Sequence, residues 1–181
     1  IDLSGLKMRI PGLAGEVFDA AGGTAVRIAG GEVYTSMQTG VIDAVEWVGP
    51  YNDRTLGLNE VAEFYYYPGW HEPGAMLEFT VNAAAYTQLP HDLQAIVRYA
   101  ARAANQNMLD EFTARNNAAL QDLITNHDVQ LRKFPDDVII RLHESADEAL
   151  EDLAASDPLA KRVYASYRAF LDNVTAYHHI S

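Results

Sequence analysis

The sequence contains no cysteine among its 181 residues, which excludes a disulfide framework and a thiolate zinc site. Basic residues are also scarce, because 13 lysines and arginines stand against 25 aspartates and glutamates, for a net charge of -12. This balance argues against nucleic acid and anionic membrane surfaces as partners. An anionic ligand would need a local arginine or a metal cation. No apolar run reaches the roughly 18 residues that a membrane-spanning helix requires.

The familiar catalytic signatures are missing too. The sequence has no GxSxG nucleophile elbow, no P-loop, no HExxH zinc motif and no GxGxxG loop after a strand. What it does have is 49% apolar residues in a chain somewhat longer than the roughly 150 residues of an average domain. Such a chain can bury a real hydrophobic core, so its length and composition exclude a disordered or collagen-like chain.

The first fifty residues alternate between short strand and helix patterns. Glycine pairs and Pro-Gly steps separate these short segments. The alternation favours an α/β fold with a mostly parallel sheet. Strands are predicted at residues 7–10, 25–28 and 41–48, with helices at residues 13–21 and 32–39.

The rest of the chain is aromatic and then helical. After the aromatic run at residues 64–67, a strand is predicted at residues 76–81, followed by Asn82 as a helix N-cap. An apolar stripe from Asp92 predicts one long helix or two in line. A short strand at residues 129–132 precedes the last segments. Helices are predicted to begin at Pro135 and at Pro158, the latter capped by Asp157.

Three charged residues stand where predicted strands end or turn. Arg9 lies at the end of the first strand, where open α/β sheets bind ligands, and a guanidinium there can hold a carboxylate through two hydrogen bonds. A surface ion pair is the competing interpretation. Glu46 and Glu72 lie in otherwise apolar stretches, so their charge needs compensation by Arg9 or by a hard cation, unless both stay solvated or structurally paired.

Four motifs together resemble one family. They are GLKMRI at residues 5–10, GEVYTSMQTGVIDA at residues 31–44, VEWVGPYND at residues 45–53 and YYYPGWHEPG at residues 65–74. Their order and spacing are similar to those of the periplasmic solute receptors of tripartite ATP-independent (TRAP) transporters, the DctP-like family, in its 2-oxo acid or monocarboxylate branch. The resemblance implies a ligand-capturing receptor rather than an enzyme, located in the periplasm.

The resemblance also implies a binding site. Arg9 occupies the position that clamps the ligand carboxylate, and Trp47 offers an apolar wall. Glu46, the Trp47 backbone carbonyl and Glu72 match the positions that hold a sodium or calcium ion, which bridges to the ligand. The strongly negative net charge makes such a bridge more necessary.

The expected fold is a lobe of a type II periplasmic binding protein, with a mixed sheet and long C-terminal helices. Residues 1–50 are expected to form part of the substrate-binding lobe, and residues 51–181 the crossing strands and the helical C-terminal region. By resemblance, the chain corresponds to the C-terminal portion of a two-lobed receptor, with most of the N-terminal lobe absent. The implied partners are a small carboxylate and the TRAP membrane subunits.

Two other interpretations stay open at this point. One is a metal-dependent enzyme that acts on a small oxo acid, with Glu46 or Glu72 as the base; the absence of any paired acid/base or nucleophile motif is its weakness. The other is an assembly or dimerisation fragment that uses the long helices, with a homodimer as its product.

Overall fold

The structure is a computed structural model that describes residues 3–71 and 77–178. Its tertiary contacts divide the chain into two units. The first unit comprises Ile1–Glu46 and Phe134–Ser181, and the second comprises Trp47–Lys133. The first crossing lies close to the expected boundary at residue 50. The C-terminal helices, however, pack with the N-terminal sheet unit instead of grouping with residues 51–133.

The elements follow the predicted order closely. In chain order, the first unit contains β1 (Lys7–Arg9), α1 (Gly12–Ala20), β2 (Thr24–Val26), a 3-10 turn (Gly30–Glu32), α2 (Val33–Gln38) and β3 (Ala44–Val45). The second unit contains α3 (Pro50–Thr55), a 3-10 turn (Leu58–Glu60), β4 (Phe64–Tyr67), α4 (Ala83–Thr87), α5 (His91–Asn126) and β5 (Gln130–Lys133). The chain then returns to the first unit with α6 (Asp136–Ser156) and α7 (Pro158–His178).

The sheet of the first unit is parallel, as the alternating pattern predicts. β1 lies between β2 and β3, and Arg9 is in register with both Val26 and Val45. β3 is shorter than the apolar run at residues 41–48. The backbone N–H groups of Val41 and Ile42 donate to the Ser36 carbonyl at the end of α2, so these two residues close a turn and do not extend the strand.

The core of the first unit lies between this sheet and the helices that cover it. α1 packs against α6, and Arg141 of α6 donates to the Ala20 carbonyl at the end of α1. The apolar faces of α1, α2 and α6 supply most of the buried side chains, and the residues after β1 and before β3 supply the others. Those that are almost fully buried are Ile10, Val17, Phe18, Val33, Ile42, Val138 and Leu142.

The second unit is built around one long helix. The stripe that begins at Asp92 forms the single 36-residue helix α5, whose C-terminal part packs on α3 and buries Ala119 and Leu123. β4 and β5 pair in parallel, with Phe64 opposite Gln130 and Tyr67 opposite Lys133. Within residues 3–71 and 77–178, none of the helices is long and apolar enough to cross a membrane.

The strand predicted at residues 76–81 does not form over residues 77–81, and Met76 lies outside the described residues. Leu77 and Phe79 are 70% and 74% exposed. Their alternation is typical of a strand, but a strand also needs the N–H and C=O groups of a neighbour, and the described part of the chain places none beside them. The Asn82 cap is confirmed, because its Oδ1 accepts from the Ala85 N–H at 3.0 Å.

Gly15 provides a stability test of the packing between α1 and the sheet. A Cβ at this position would lie 2.8 Å from the Ile10 carbonyl oxygen and 3.3 Å from the Ala25 Cβ. We therefore expect Gly15→Ala to lower the free energy of unfolding by about 1–3 kcal/mol, the usual cost of overpacking. Gly31→Ala, which meets nothing within 4 Å, is the matched control. Equal thermal midpoints for the two variants would contradict this packing.

Candidate functional site

Arg9 lies at the carboxyl edge of the parallel sheet. It is the last residue of β1, and its side chain extends across the ends of both neighbouring strands. Its Nε donates to the carbonyl oxygen of Ile28, just after β2, and its Nη1 donates to the carbonyl oxygen of Glu46, just after β3, both at 3.3 Å. Because parallel strands end at the same edge, the fold places a cation where α/β sheets bind ligands.

Glu46 forms a direct ion pair with Arg9. The Arg9 Nη1 lies 2.5 Å from the Glu46 Oε1, and the two side chains are only 13% and 8% exposed. The Glu46 N–H donates to the Arg9 carbonyl at 3.1 Å, so a backbone bond next to β3 also fixes the position of this glutamate. Burying two charges is favourable only when each compensates the other. Arg9 therefore provides the compensation that the sequence requires for Glu46.

The chemistry of the donors at this edge suits a hard cation. A carboxylate and backbone carbonyls are the oxygen ligands that sodium and calcium ions prefer. Among the residues that the structure describes, no three or more His, Asp or Glu side chains gather into one cluster. A cation bound by Glu46 would therefore need further oxygen atoms from the backbone, from a ligand or from Glu72. Glu72 itself lies outside the described residues.

Trp47 follows Glu46 directly and is the first residue of the second unit. It is half-buried, and the backbone after it is held by hydrogen bonds. The Gly49 N–H donates to the Asp53 Oδ1 at 3.1 Å, and the Asp53 N–H donates back to the Gly49 carbonyl at 2.9 Å. The Tyr51 N–H donates to the Asn116 Oδ1 of α5 at 3.0 Å. The turn that carries Trp47 is therefore fixed within its own unit.

Asp53 and Tyr65 form a buried polar pair next to this turn. The Tyr65 hydroxyl donates to the Asp53 Oδ2 at 2.5 Å, and Asp53 is only 7% exposed. Burial raises the pKa of Tyr65 well above its usual range, and the negative charge of Asp53 and this hydrogen bond raise it further. Both residues lie within the family motifs, but neither is predicted from the sequence to have a role. The sequence signal for Asp53 is its place in the first turn of a helix that begins after Gly49, where a carboxylate is favourable.

The structure thus brings Arg9 and Glu46 together and leaves the other two predicted site residues untested. Trp47 is placed in the second unit, and Glu72 is not among the described residues.

Comparison with known proteins gives a consistent result. Residues 1–157 match the profile of a family described as "Bacterial extracellular solute-binding protein, family 7", DctP. A monocarboxylate 2-oxoacid-binding periplasmic protein of Nostoc is 40% identical over 180 residues, which are 99% of this chain and 49% of the relative. The predicted periplasmic location and a role in solute binding rather than catalysis agree with both descriptions.

Three solved structures share the fold. A TRAP periplasmic solute-binding protein from Colwellia psychrerythraea, with bound calcium and pyruvate, is 40% identical with a TM-score of 0.92 over 99% of this chain and 55% of its own. One from Pseudoalteromonas atlantica, with sodium and pyruvate, is 38% identical with a TM-score of 0.89 over 98% of this chain and 55% of its own. One from Bordetella bronchiseptica, a dimer with calcium and picolinate at one site, is 33% identical with a TM-score of 0.90 over 99% of this chain and 53% of its own.

The chain therefore spans about half the length of the relatives that it matches. The match covers most of this chain, and the predicted fold class, a lobe of a periplasmic binding protein with long C-terminal helices, is confirmed by the solved structures. The chain belongs to family 7 of the bacterial extracellular solute-binding proteins, the DctP family of TRAP transporter receptors.

Proposed function

We propose that this chain is the part of a TRAP receptor that captures a small 2-oxo or 2-hydroxy carboxylate together with a sodium or calcium ion. The Arg9–Glu46 pair at the carboxyl edge of the sheet carries the proposal. The relatives support it, because two of the solved structures hold pyruvate with calcium or sodium and a third holds picolinate with calcium. The TRAP membrane subunits are the proposed partners in transport.

Each site residue has a distinct role in this proposal. Arg9 binds the ligand carboxylate, for which a guanidinium provides parallel N–H donors. Glu46, the Trp47 carbonyl and Glu72 provide oxygen ligands for the ion, and Trp47 contributes an apolar wall. When bound, the ion offsets the charge of the carboxylates. No group in this set is required to form or break a covalent bond, which distinguishes the proposal from the oxo acid enzyme.

The existing ion pair makes ion binding and ligand binding depend on each other. Glu46 neutralises Arg9 through the 2.5 Å contact, so an incoming carboxylate competes with Glu46 for the same guanidinium. It also meets the repulsion of a chain with a net charge of -12. A cation on Glu46 weakens both obstacles, because it takes over the compensation of that carboxylate. We therefore expect the ion to favour binding of the ligand.

A ligand panel tests the proposed substrate class. We expect pyruvate and lactate, with calcium present, to raise the thermal midpoint, and glucose to leave it unchanged. A ligand at about 100 times its Kd stabilises by about 2.7 kcal/mol. The panel is measured on the 181-residue chain and on a chimaera that adds the part of the Nostoc relative outside the matched region. Stabilisation of the chimaera by glucose and not by the carboxylates would contradict the proposal.

Arg9→Lys is the informative variant in the same panel. Lysine keeps the charge but loses the planar donor fork, so the pyruvate affinity should fall by about 1.5–3 kcal/mol. Arg27→Lys, on an exposed arginine just after β2, is the matched control and should bind as the parent does. If both variants retain the parent affinity in calorimetry, Arg9 has only a structural role.

We also propose that two copies of the chain associate through α7. Along one face of this helix, residues are spaced alternately four and three positions apart, and we call this row the seam. Its large apolar side chains are exposed; Phe170, for example, is 65% exposed. This spacing is typical of helices that pack side by side. The seam consists of Leu159, Val163, Ser166, Phe170, Asn173 and Tyr177.

The symmetry of the seam favours a second copy as the occupant. The steps read 4-3-4-3-4 in both directions along α7, so the same surface fits itself in an antiparallel pair. α7 also packs on α6 within the first unit. The face of α7 that carries Tyr164 and Leu171 is less exposed than the seam. The relative from Bordetella bronchiseptica is described as a dimer, which supports a dimer as the assembly.

A charge in the seam should dissociate this pair. Val163 in the seam is 61% exposed, and Ile140 on α6, outside the seam, is 58% exposed. Val163→Glu and Ile140→Glu therefore form a matched comparison. In light scattering we expect two copies of the 20.0 kDa chain for the parent and for Ile140→Glu, and one copy for Val163→Glu. A monomeric parent, or a Val163→Glu variant that stays dimeric, would disprove this interface.

A further inference from the structure

We infer that Asp53 is a positioning residue that holds the turn after Trp47 to strand β4 and so fixes the direction of the Trp47 carbonyl. The inference rests on the proposed function, because that function makes this carbonyl an ion ligand. It adds two residues, Asp53 and Tyr65, that do not contact the ligand or the ion in the proposed site. Their role is to hold the turn that follows the Trp47 carbonyl to strand β4.

The first link runs from Asp53 to the turn. Its Oδ1 accepts from the Gly49 N–H at 3.1 Å, and its own N–H returns a bond to the Gly49 carbonyl at 2.9 Å. Two bonds between the same two residues leave Gly49 little freedom to rotate. Gly49 is only two positions after Trp47, so the peptide that carries the Trp47 carbonyl is anchored close to one end.

The second link runs from Asp53 to β4. The other carboxylate oxygen, Oδ2, accepts from the Tyr65 hydroxyl at 2.5 Å. The backbone of Tyr65 is held in turn, because β4 pairs with β5 and Tyr65 lies opposite Leu131. β4 ends at Tyr67, so the anchored segment is the described strand itself. One carboxylate therefore connects the turn before α3 to strand β4 after it.

The burial of Asp53 indicates more than an ordinary helix cap. A capping carboxylate works equally well at the surface, where water keeps its charge solvated. Asp53 is 7% exposed, and both of its oxygens bind donors from different segments. Asn116 of α5 also supports the turn, since its Oδ1 accepts from the Tyr51 N–H at 3.0 Å. Rigid support of this kind orients metal ligands.

The test compares two conservative variants on the same strand. Tyr65→Phe removes only the hydroxyl that binds Asp53, and Tyr67→Phe removes the half-exposed hydroxyl two residues further along. Hydrogen–deuterium exchange of the 181-residue chain, without ligand or ion, is the first measurement. We expect Tyr65→Phe to speed exchange in the peptide that spans residues 48–51, and Tyr67→Phe to leave that rate at the parent value.

Calcium affinity with saturating pyruvate is the second measurement. We expect the calcium affinity of Tyr65→Phe to fall about 10- to 100-fold, the usual effect of removing a group that orients a metal ligand. Leu123→Ala, which cuts into the core of the same unit, should destabilise the fold without this loss. Asp53→Ala should lose as much as Tyr65→Phe or more, and Asp53→Asn should recover part of it, since an amide oxygen can still accept from Gly49.

The two measurements separate this inference from the proposed function. If the parent binds neither calcium nor pyruvate, in the chain or in the chimaera, the proposed function fails, and the exchange data still decide whether Asp53 holds the turn. If the parent binds both, but Tyr65→Phe changes neither exchange at residues 48–51 nor calcium affinity, Asp53 is not a positioning residue. An equal loss of affinity in Leu123→Ala would also overturn the inference, because general destabilisation would then explain it.

Discussion

The ion pair between Arg9 and Glu46 connects the fold of this chain to its proposed chemistry. Neither charge would be stable at this edge alone, because both side chains are largely buried. The parallel register of β1 and β3 brings them together, since it ends both strands at the same edge. The same contact limits what can bind there. In the proposed function, a carboxylate ligand must displace Glu46 from Arg9, and a cation that compensates the glutamate favours this displacement.

The proposed site residues are held in different ways within each unit. In the first, the guanidinium and the carboxylate are fixed by strand ends and by backbone bonds. In the second, the turn after Trp47 is fixed by side chains, chiefly Asp53 and Asn116. Glu46 ends the first unit and Trp47 begins the second, so the proposed ion ligands lie on both sides of one peptide bond.

Local signals in the sequence predict much of this fold. Glycine and proline mark the ends of α1 and α7, and the periodicity from Asp92 leads to α5. The strand at residues 77–81 is not found, because pairing depends on a neighbour that a local pattern does not reveal. The association of the C-terminal helices with the N-terminal sheet likewise depends on contacts between distant parts of the chain.

The candidate site is predictable to a similar extent. Arg9 and Glu46 follow from strand ends, from the cost of burying charge and from the resemblance to TRAP receptors. The sequence offers Arg9 as one possible partner of Glu46 but does not decide between Arg9 and a cation, because contact between residues 37 positions apart depends on the register of β1 and β3. The Asp53–Tyr65 pair is even harder to predict, since Asp53 is compatible with an ordinary helix cap and Tyr65 with an ordinary aromatic strand.

The most direct test of the account is the dependence of pyruvate affinity on calcium. Calorimetry of the chain and of the chimaera, in sodium-free buffer with and without calcium, measures this coupling. The account predicts that calcium raises the affinity for pyruvate, that pyruvate raises the affinity for calcium by the same factor, and that Glu46→Gln reduces this factor. Equal pyruvate affinity with and without calcium, or tighter pyruvate binding in Glu46→Gln, would show that no cation bridges Glu46 and the ligand.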